Sequence, residues 1–203
     1  EMLTTLTNAF GEIQELRFDS IGPVIGKELQ RSALFGIGAS LVLIGAYLSW
    51  AFRGASDFIS SKKIALLTAF KCVHDVLISI GAFAILGHFF GYEMDAAFVA
   101  GALTILGYSI NDGVVVLDRT RENLKNRISP HLSEVVDRAI EQTLARSINT
   151  SVTVFLALLA VFLFGGDTTR PFALLLLIGV AVGTYSSVFI ASPALVTLEK
   201  LGK

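Results

Sequence analysis

Five long apolar runs divide the chain, at residues 32–52, 64–87, 96–117, 147–166 and 171–198, and short polar or charged segments bound each of them. At about 1.5 Å of rise per residue, each run is long enough, or nearly so, to cross a hydrocarbon core of about 30 Å as a helix. The pattern predicts an all-α polytopic membrane protein, a five-span transmembrane helix bundle. Between the third and fourth runs the pattern changes. Ser129-Pro130 reads as an N-cap followed by proline at the first helical position, and Leu132, Val135, Val136, Ala139 and Ile140 recur at helical spacing. Glu134, Asp137, Arg138 and Glu141 fall on the other side. This predicts a short amphipathic surface helix over about 130–142, its apolar face on the headgroup region or against a neighbouring helix. It serves either as a connector that launches the fourth span or as a docking surface. The chain then divides into a leading segment, 1–31, the bundle, 32–198, and a tail, 199–203.

Composition strengthens the membrane reading. Of 203 residues, 53% are hydrophobic and only 16% charged, and the mean hydropathy is +0.69. The chain's preferred solvent is largely lipid. A net charge of −1 gives no nucleic-acid footprint. Cys72, the single cysteine, has no metal-ligand spacing around it, and neither a metal nor a cofactor is expected. Residues 1–18 are acidic and lack the apolar core of a cleavable signal, so the chain reads as part of something longer. Basic residues in 53–63 (Arg53, Lys62, Lys63), in 118–142 (Arg119, Arg121, Lys125, Arg127, Arg138) and in the tail (Lys200, Lys203) mark those segments as cytoplasmic. The N-terminus is then extracytoplasmic and the C-terminus cytoplasmic, although Arg17, Lys27 and Arg31 run against the rule.

Charge inside the spans carries the candidate chemistry. Gly107-Tyr108-Ser109-Ile110-Asn111-Asp112 drops a carboxylate and several hydrogen-bonding groups into an apolar run. A charge at the centre of a membrane helix costs about 2.5 to 3.5 kcal/mol on insertion scales, so such a residue normally faces a partner or a hydrated path. Asp112 lies about 9 Å from the boundary at Asp118, and Arg146 enters the next, oppositely running span at a similar depth. An arginine stays protonated, so it can hold a nearby carboxylate ionised until movement parts them, which couples proton uptake to a conformational change. Gln142, Arg146, Asn149, Thr150 and Thr153 make one face of that span polar. The plainer readings are a snorkelling anchor for Arg146 and a buried, protonated carboxyl for Asp112. Lys71, His74 and Asp75 lie on the second span; His74 and Asp75 form either a second proton relay or, with consecutive side chains diverging by about 100°, a helix-contact pair. Gly179 and Gly183, continued by Ser187 and Ala191, and Ala97 with Gly101, form small-residue ridges that predict tight helix packing.

A family resemblance rests on Gly22-Pro23-Val24-Ile25-Gly26-Lys27-Glu28-Leu29, His74-Asp75, the block from Gly107 to Asp112 running on to Asp118-Arg119-Thr120-Arg121-Glu122-Asn123, and Arg146-Ser147-Ile148-Asn149-Thr150-Ser151. In this order, from about Asp19 to the C-terminus, the motifs resemble SecF, the smaller half of the SecDF protein-export auxiliary complex. The resemblance implies a bundle of the resistance, nodulation and division transporter type, lacking here the first span and most of an extracytoplasmic domain. It implies a bacterial cytoplasmic membrane protein that works with SecD, fused or separate, and with YajC, to help SecYEG move preproteins using the proton-motive force. It places Asp112 and Arg146 on the proton pathway, opposite an acidic residue of SecD, with Ser109, Asn111, Asn149, Thr150, His74 and Asp75 in support. Gly113 stands where many relatives carry a small hydroxyl residue. No covalent catalysis is expected. An intramembrane aspartyl protease built on Asp75 and Asp112 would need a Gly-x-Gly-Asp context that Asp112 lacks. A passive scaffold recruiting the channel is the remaining alternative.

Overall fold

The computed structural model describes residues 23–52, 60–92 and 95–201, and nearly all of these described residues are helical. The elements are α1 (Pro23–Ala51), α2 (Ser61–Phe90), α3 (Ala96–Lys125), α4 (Leu132–Phe164), α5 (Arg170–Ser186), a π-helical stretch (Ser187–Ala191) and α6 (Ser192–Leu201). Five helices are long and apolar enough to cross a membrane, the fifth running from α5 through the π stretch into α6. The motif before the first span lies partly, and the leading segment up to residue 22 wholly, outside the described residues, as do Arg53 and Lys203.

Local chemistry sets the helix ends. Gly91 closes α2 in the left-handed region, at φ 72°, and its N–H donates to the Gly87 carbonyl. Glycine adopts that conformation without steric cost. Asp95 starts α3 by accepting the Phe98 N–H at 2.9 Å. Arg127 ends α3 with φ 51°, while the N–H groups of Arg127 and Ile128 return to the carbonyls of Leu124 and Asn123. A left-handed arginine is strained by about 1 kcal/mol or more relative to glycine. Arg127→Gly is accordingly expected to raise the thermal unfolding midpoint, and an unchanged or lower midpoint would show that the guanidinium offsets the strain.

The amphipathic helix expected over 130–142 is not a separate element. It forms the first turns of α4, which runs unbroken into the fourth span, because no residue between Leu132 and Phe164 is a proline or glycine. The helix starts two residues later than expected. Its N-cap is His131, whose N–H donates to the Ser129 hydroxyl, and Ser129 also bonds Glu134. The predicted apolar face is correct. Val136 joins Leu48, Phe52, Ile64, Leu67, Leu117 and Leu195 in one hydrophobic cluster, so that face packs on neighbouring helices. A second cluster, centred on Phe83, Ile105, Leu106 and Leu175, fills the opposite end of the bundle.

The small-residue ridges pack as expected. A Cβ on Gly179 would overlap Ile105 Cγ1, and one on Gly101 would lie 2.9 Å from Leu175 Cδ2. Gly183 sits over Ser109, 3.6 Å from its Cα by the same construction. α3 and α5 therefore run parallel in close backbone approach. The π stretch follows at the level of Ser187, where Ser192 Oγ donates to the Ser187 carbonyl at 2.9 Å. Pro193 lies just beyond it and cannot donate an N–H, which favours a locally wider turn.

Candidate intramembrane charge site

Between the two hydrophobic clusters lies a closed ionic network. Lys71 and Asp75 stand one turn apart on α2, both with 0% exposure. Lys71 Nζ donates to Asp75 Oδ2 at 2.8 Å, to the Ser109 carbonyl at 2.9 Å and to Ser109 Oγ at 2.7 Å. Those three acceptors use all three ammonium protons. Asp75 Oδ2 also accepts from Ser109 Oγ at 2.6 Å and from Ser186 Oγ at 2.7 Å. His74 Nδ1 lies 2.9 Å from Asp75 Oδ1. The network ties α2 to α3 and α5. It lies about 15 Å along α2 from Ser61, near mid-span. The stem of Lys71 passes Gly113, where an added Cβ would make ordinary contact with Lys71 Cδ at 3.5 Å. A small hydroxyl residue there would be accommodated.

His74 and Asp75 thus do not point apart. The i,i+1 pair meets because the Asp75 carboxyl turns one oxygen into the bundle and leaves the other for the half-buried imidazole. Lys71 stands four residues before Asp75, and that spacing is the sequence signal for their pairing. Ser186 carries no signal of its own in a serine-containing apolar run. Its part is set by the approach of α5 to α2.

Asp112 occupies a different position. It faces inward from α3, 5% exposed, and its Oδ2 is buried without a hydrogen-bond partner. Arg146 is exposed, and among the described residues no ion pair joins it to Asp112. Asn111, Asn149, Thr150 and Thr153 are exposed as well, so the polar stripe of α4 lies on the outside of this bundle. Thr150 and Thr153 bond back to their own helix, at the carbonyls of Arg146 and Asn149. Arg146 instead lines a cavity of about 530 Å³ between α1, α3 and α4, with Tyr47, Arg119, Arg121, Asp118, Glu122 and Gln142 around its mouth. Gln142 Oε1 accepts from Arg119 Nε at 2.7 Å and from Asn123 Nδ2 at 3.0 Å, fixing α4 to α3 at that end. No hydrogen bond joins Asp75 to Asp112 among the described residues, and Asp75 is fully engaged by Lys71, Ser109, Ser186 and His74.

An apolar five-helix bundle, with one charged pair neutralised at its centre and one carboxyl oxygen left without a partner, defines a polytopic membrane protein that carries charged groups inside its spans. The chain belongs to the family described as protein export membrane protein SecD/SecF, C-terminal, which it matches over residues 1–201. It is 44% identical over 195 residues to a protein translocase subunit SecF of Thermobaculum terrenum, covering 96% of this chain and 60% of that protein. A SecF of Synechocystis is 46% identical over 179 residues, covering 88% of this chain and 54% of the relative. The chain therefore spans little more than half the length of these relatives. Among solved structures, SecDF of Thermus thermophilus, described as a translocon-associated membrane protein, superposes with a TM-score of 0.82 at 38% identity, covering 98% of this chain and 26% of that one. SecDF in a super-membrane-facing form gives 0.75 at 32% identity, covering 99% of this chain and 26% of that one.

Proposed function

We propose that this chain is the membrane bundle of a SecF subunit, or of the SecF half of a fused SecDF, that draws on the proton-motive force to help the Sec channel, SecYEG, move preproteins across the membrane. Family membership and the SecF relatives support the export role. The observation that carries the coupling is Asp112, a carboxyl 5% exposed in the middle of a spanning helix with an unpartnered oxygen. A buried carboxyl with a free oxygen inside a span is a place where a partner or a hydrated path is expected to reach it.

Arg146 supplies the second half of the reading. It and the rest of the α4 stripe are exposed on this bundle and polar, a combination that lipid disfavours. SecD, presenting its own polar face and an acidic residue, covers the stripe in this reading, and Arg146 meets Asp112 in only part of the cycle. The basic end, with Arg119, Arg121 and Lys125, is cytoplasmic. One proton crossing 100 mV releases about 2.3 kcal/mol, enough to bias a two-state bundle about fifty-fold. Repeated cycles, with no covalent chemistry, then ratchet the preprotein outward.

Export into membrane vesicles containing the full-length protein, with and without an uncoupler, tests the reading. Asp112→Asn and Arg146→Met are each expected to export only as much with a proton-motive force as the unsubstituted protein does without one. Variants that keep the full increment would remove both residues from the coupling, and would leave the scaffold alternative standing.

A further inference from the structure

Asp112 Oδ2 is not the only orphan at this level of the bundle. Ser147 Oγ on α4 is also buried without a partner, in a residue 3% exposed. Two hydrogen bonds set the register of α3 on the antiparallel α4. Tyr108 OH donates to Ser151 Oγ at 2.7 Å near mid-span, and Asn123 Nδ2 reaches Gln142 Oε1 at the basic end. Asp112 lies one turn beyond Tyr108, and Ser147 one turn before Ser151, so the two orphans fall at the same level of the seam, on the helix faces that Tyr108 and Ser151 join. The next turn back is bound up already, since Ser151 Oγ contacts Thr184 Oγ1 at 2.6 Å and donates to the Ser147 carbonyl at 2.7 Å. Buried polar atoms without partners are rare, and two at one level of one seam ask for one explanation.

The geometry points to Ser147 as the residue that positions the Asp112 carboxyl, its hydroxyl donating to the carboxylate when Asp112 is ionised and accepting from it when Asp112 holds a proton. A hydroxyl is the smallest side chain able to fill both roles, being at once donor and acceptor. It can therefore serve both protonation states without rearrangement of α3 or α4. The other charged groups around Asp112 leave this place open. From α2, Lys71 is saturated by Asp75 and Ser109, and His74 is turned to Asp75. From α4, Arg146 is exposed, and from α5 and the π stretch the facing polar groups are Ser186 and Ser187, bonded to Asp75 and to the Gly183 carbonyl. On α3 itself, Arg119 is held by Gln142 and Glu122, and Asp118 is exposed.

This inference deepens the proton-coupling reading and rests on it, but infrared spectroscopy of the full-length protein in vesicles tests it without any measurement of export. At acidic pH the protonated-carboxyl band lost in Asp112→Asn belongs to Asp112. Ser147→Ala is expected to move that band to higher wavenumber, as a carboxyl deprived of a hydrogen bond does, and Ser147→Thr to keep it in place. Export under a proton-motive force is expected to fall about tenfold in Ser147→Ala, the worth of one such hydrogen bond, and to recover in Ser147→Thr. An Asp112 band unmoved by Ser147→Ala, a shift that threonine does not restore, or the lack of any Asp112 band would each overturn the inference. Failure of the coupling reading looks different: Asp112→Asn would export normally while the band shift in Ser147→Ala persisted.

Discussion

Lys71→Met is expected to lower the stability of the solubilised protein by about 3 to 5 kcal/mol, the usual cost of leaving one member of a buried ion pair without the other. The Asp75 carboxylate would keep the hydroxyls of Ser109 and Ser186 and the imidazole of His74, but it would lose the cation bonded at 2.8 Å. No solvent can replace that charge at 0% exposure. Removing both partners is a different experiment. In Lys71→Met with Asp75→Leu no charge remains to be neutralised, and Ser186 Oγ retains the Gly183 carbonyl at 3.1 Å. The double variant is expected to recover most of the loss. Thermal unfolding in detergent measures all three proteins. If Lys71→Met melted with the unsubstituted protein, the ion pair would have no part in holding α2 to α3 and α5.

The second large effect belongs to Gly179. A methyl there would overlap Ile105 Cγ1, with Cδ1 and Cγ2 lying 2.5 and 3.1 Å from the added atom. Rotation of Ile105 cannot relieve contacts with three of its carbons, so α3 and α5 must separate. Gly179→Ala is expected to cost about 1 to 3 kcal/mol, the range for overpacking a tight interior, and Gly179→Val more. Separation of α5 from α3 would also draw Ser186 and Ser109 apart across Asp75. The defect should therefore couple to the ion pair, and the cost of Lys71→Met should be smaller in a Gly179→Val background than alone. Ile105→Ala in the Gly179→Ala background vacates the clashing volume and is expected to restore most of the lost stability. Strict additivity of the Gly179 and Ile105 substitutions, measured as unfolding midpoints in a double-mutant cycle, would dismiss the contact as the cause.

Particular residues mark how far the sequence could be read. The five spans were legible because lipid imposes length and composition on any helix that crosses it, and the expected ends at 96 and 198 fall close to those observed. The face of 130–142 was legible from periodicity, but its continuity with the fourth span was not. A short amphipathic stretch and the first turns of a long helix have the same local pattern. Gly179 and Gly183 announced close packing, since only a missing side chain lets two helix backbones approach. Asp112 announced itself as a carboxyl out of place. Its expected partner did not follow, because similar depth on neighbouring helices says nothing about rotation, and Arg146 turns outward from this bundle.

By itself, then, the sequence determined what must be local or solvent-driven: helix, span, spacing, and the family its motifs resemble. Only the tertiary structure decided which charges meet. Lys71 closes on Asp75 through Ser109 and Ser186, residues 38 and 111 positions away from Lys71 and Asp75 respectively, while Asp112 Oδ2 is left buried without a partner. Hydrogen bonds of about 3 Å depend on the rotation of each helix about its axis. That rotation is set by the packing of α5 glycines on α3, a contact between segments far apart in the chain.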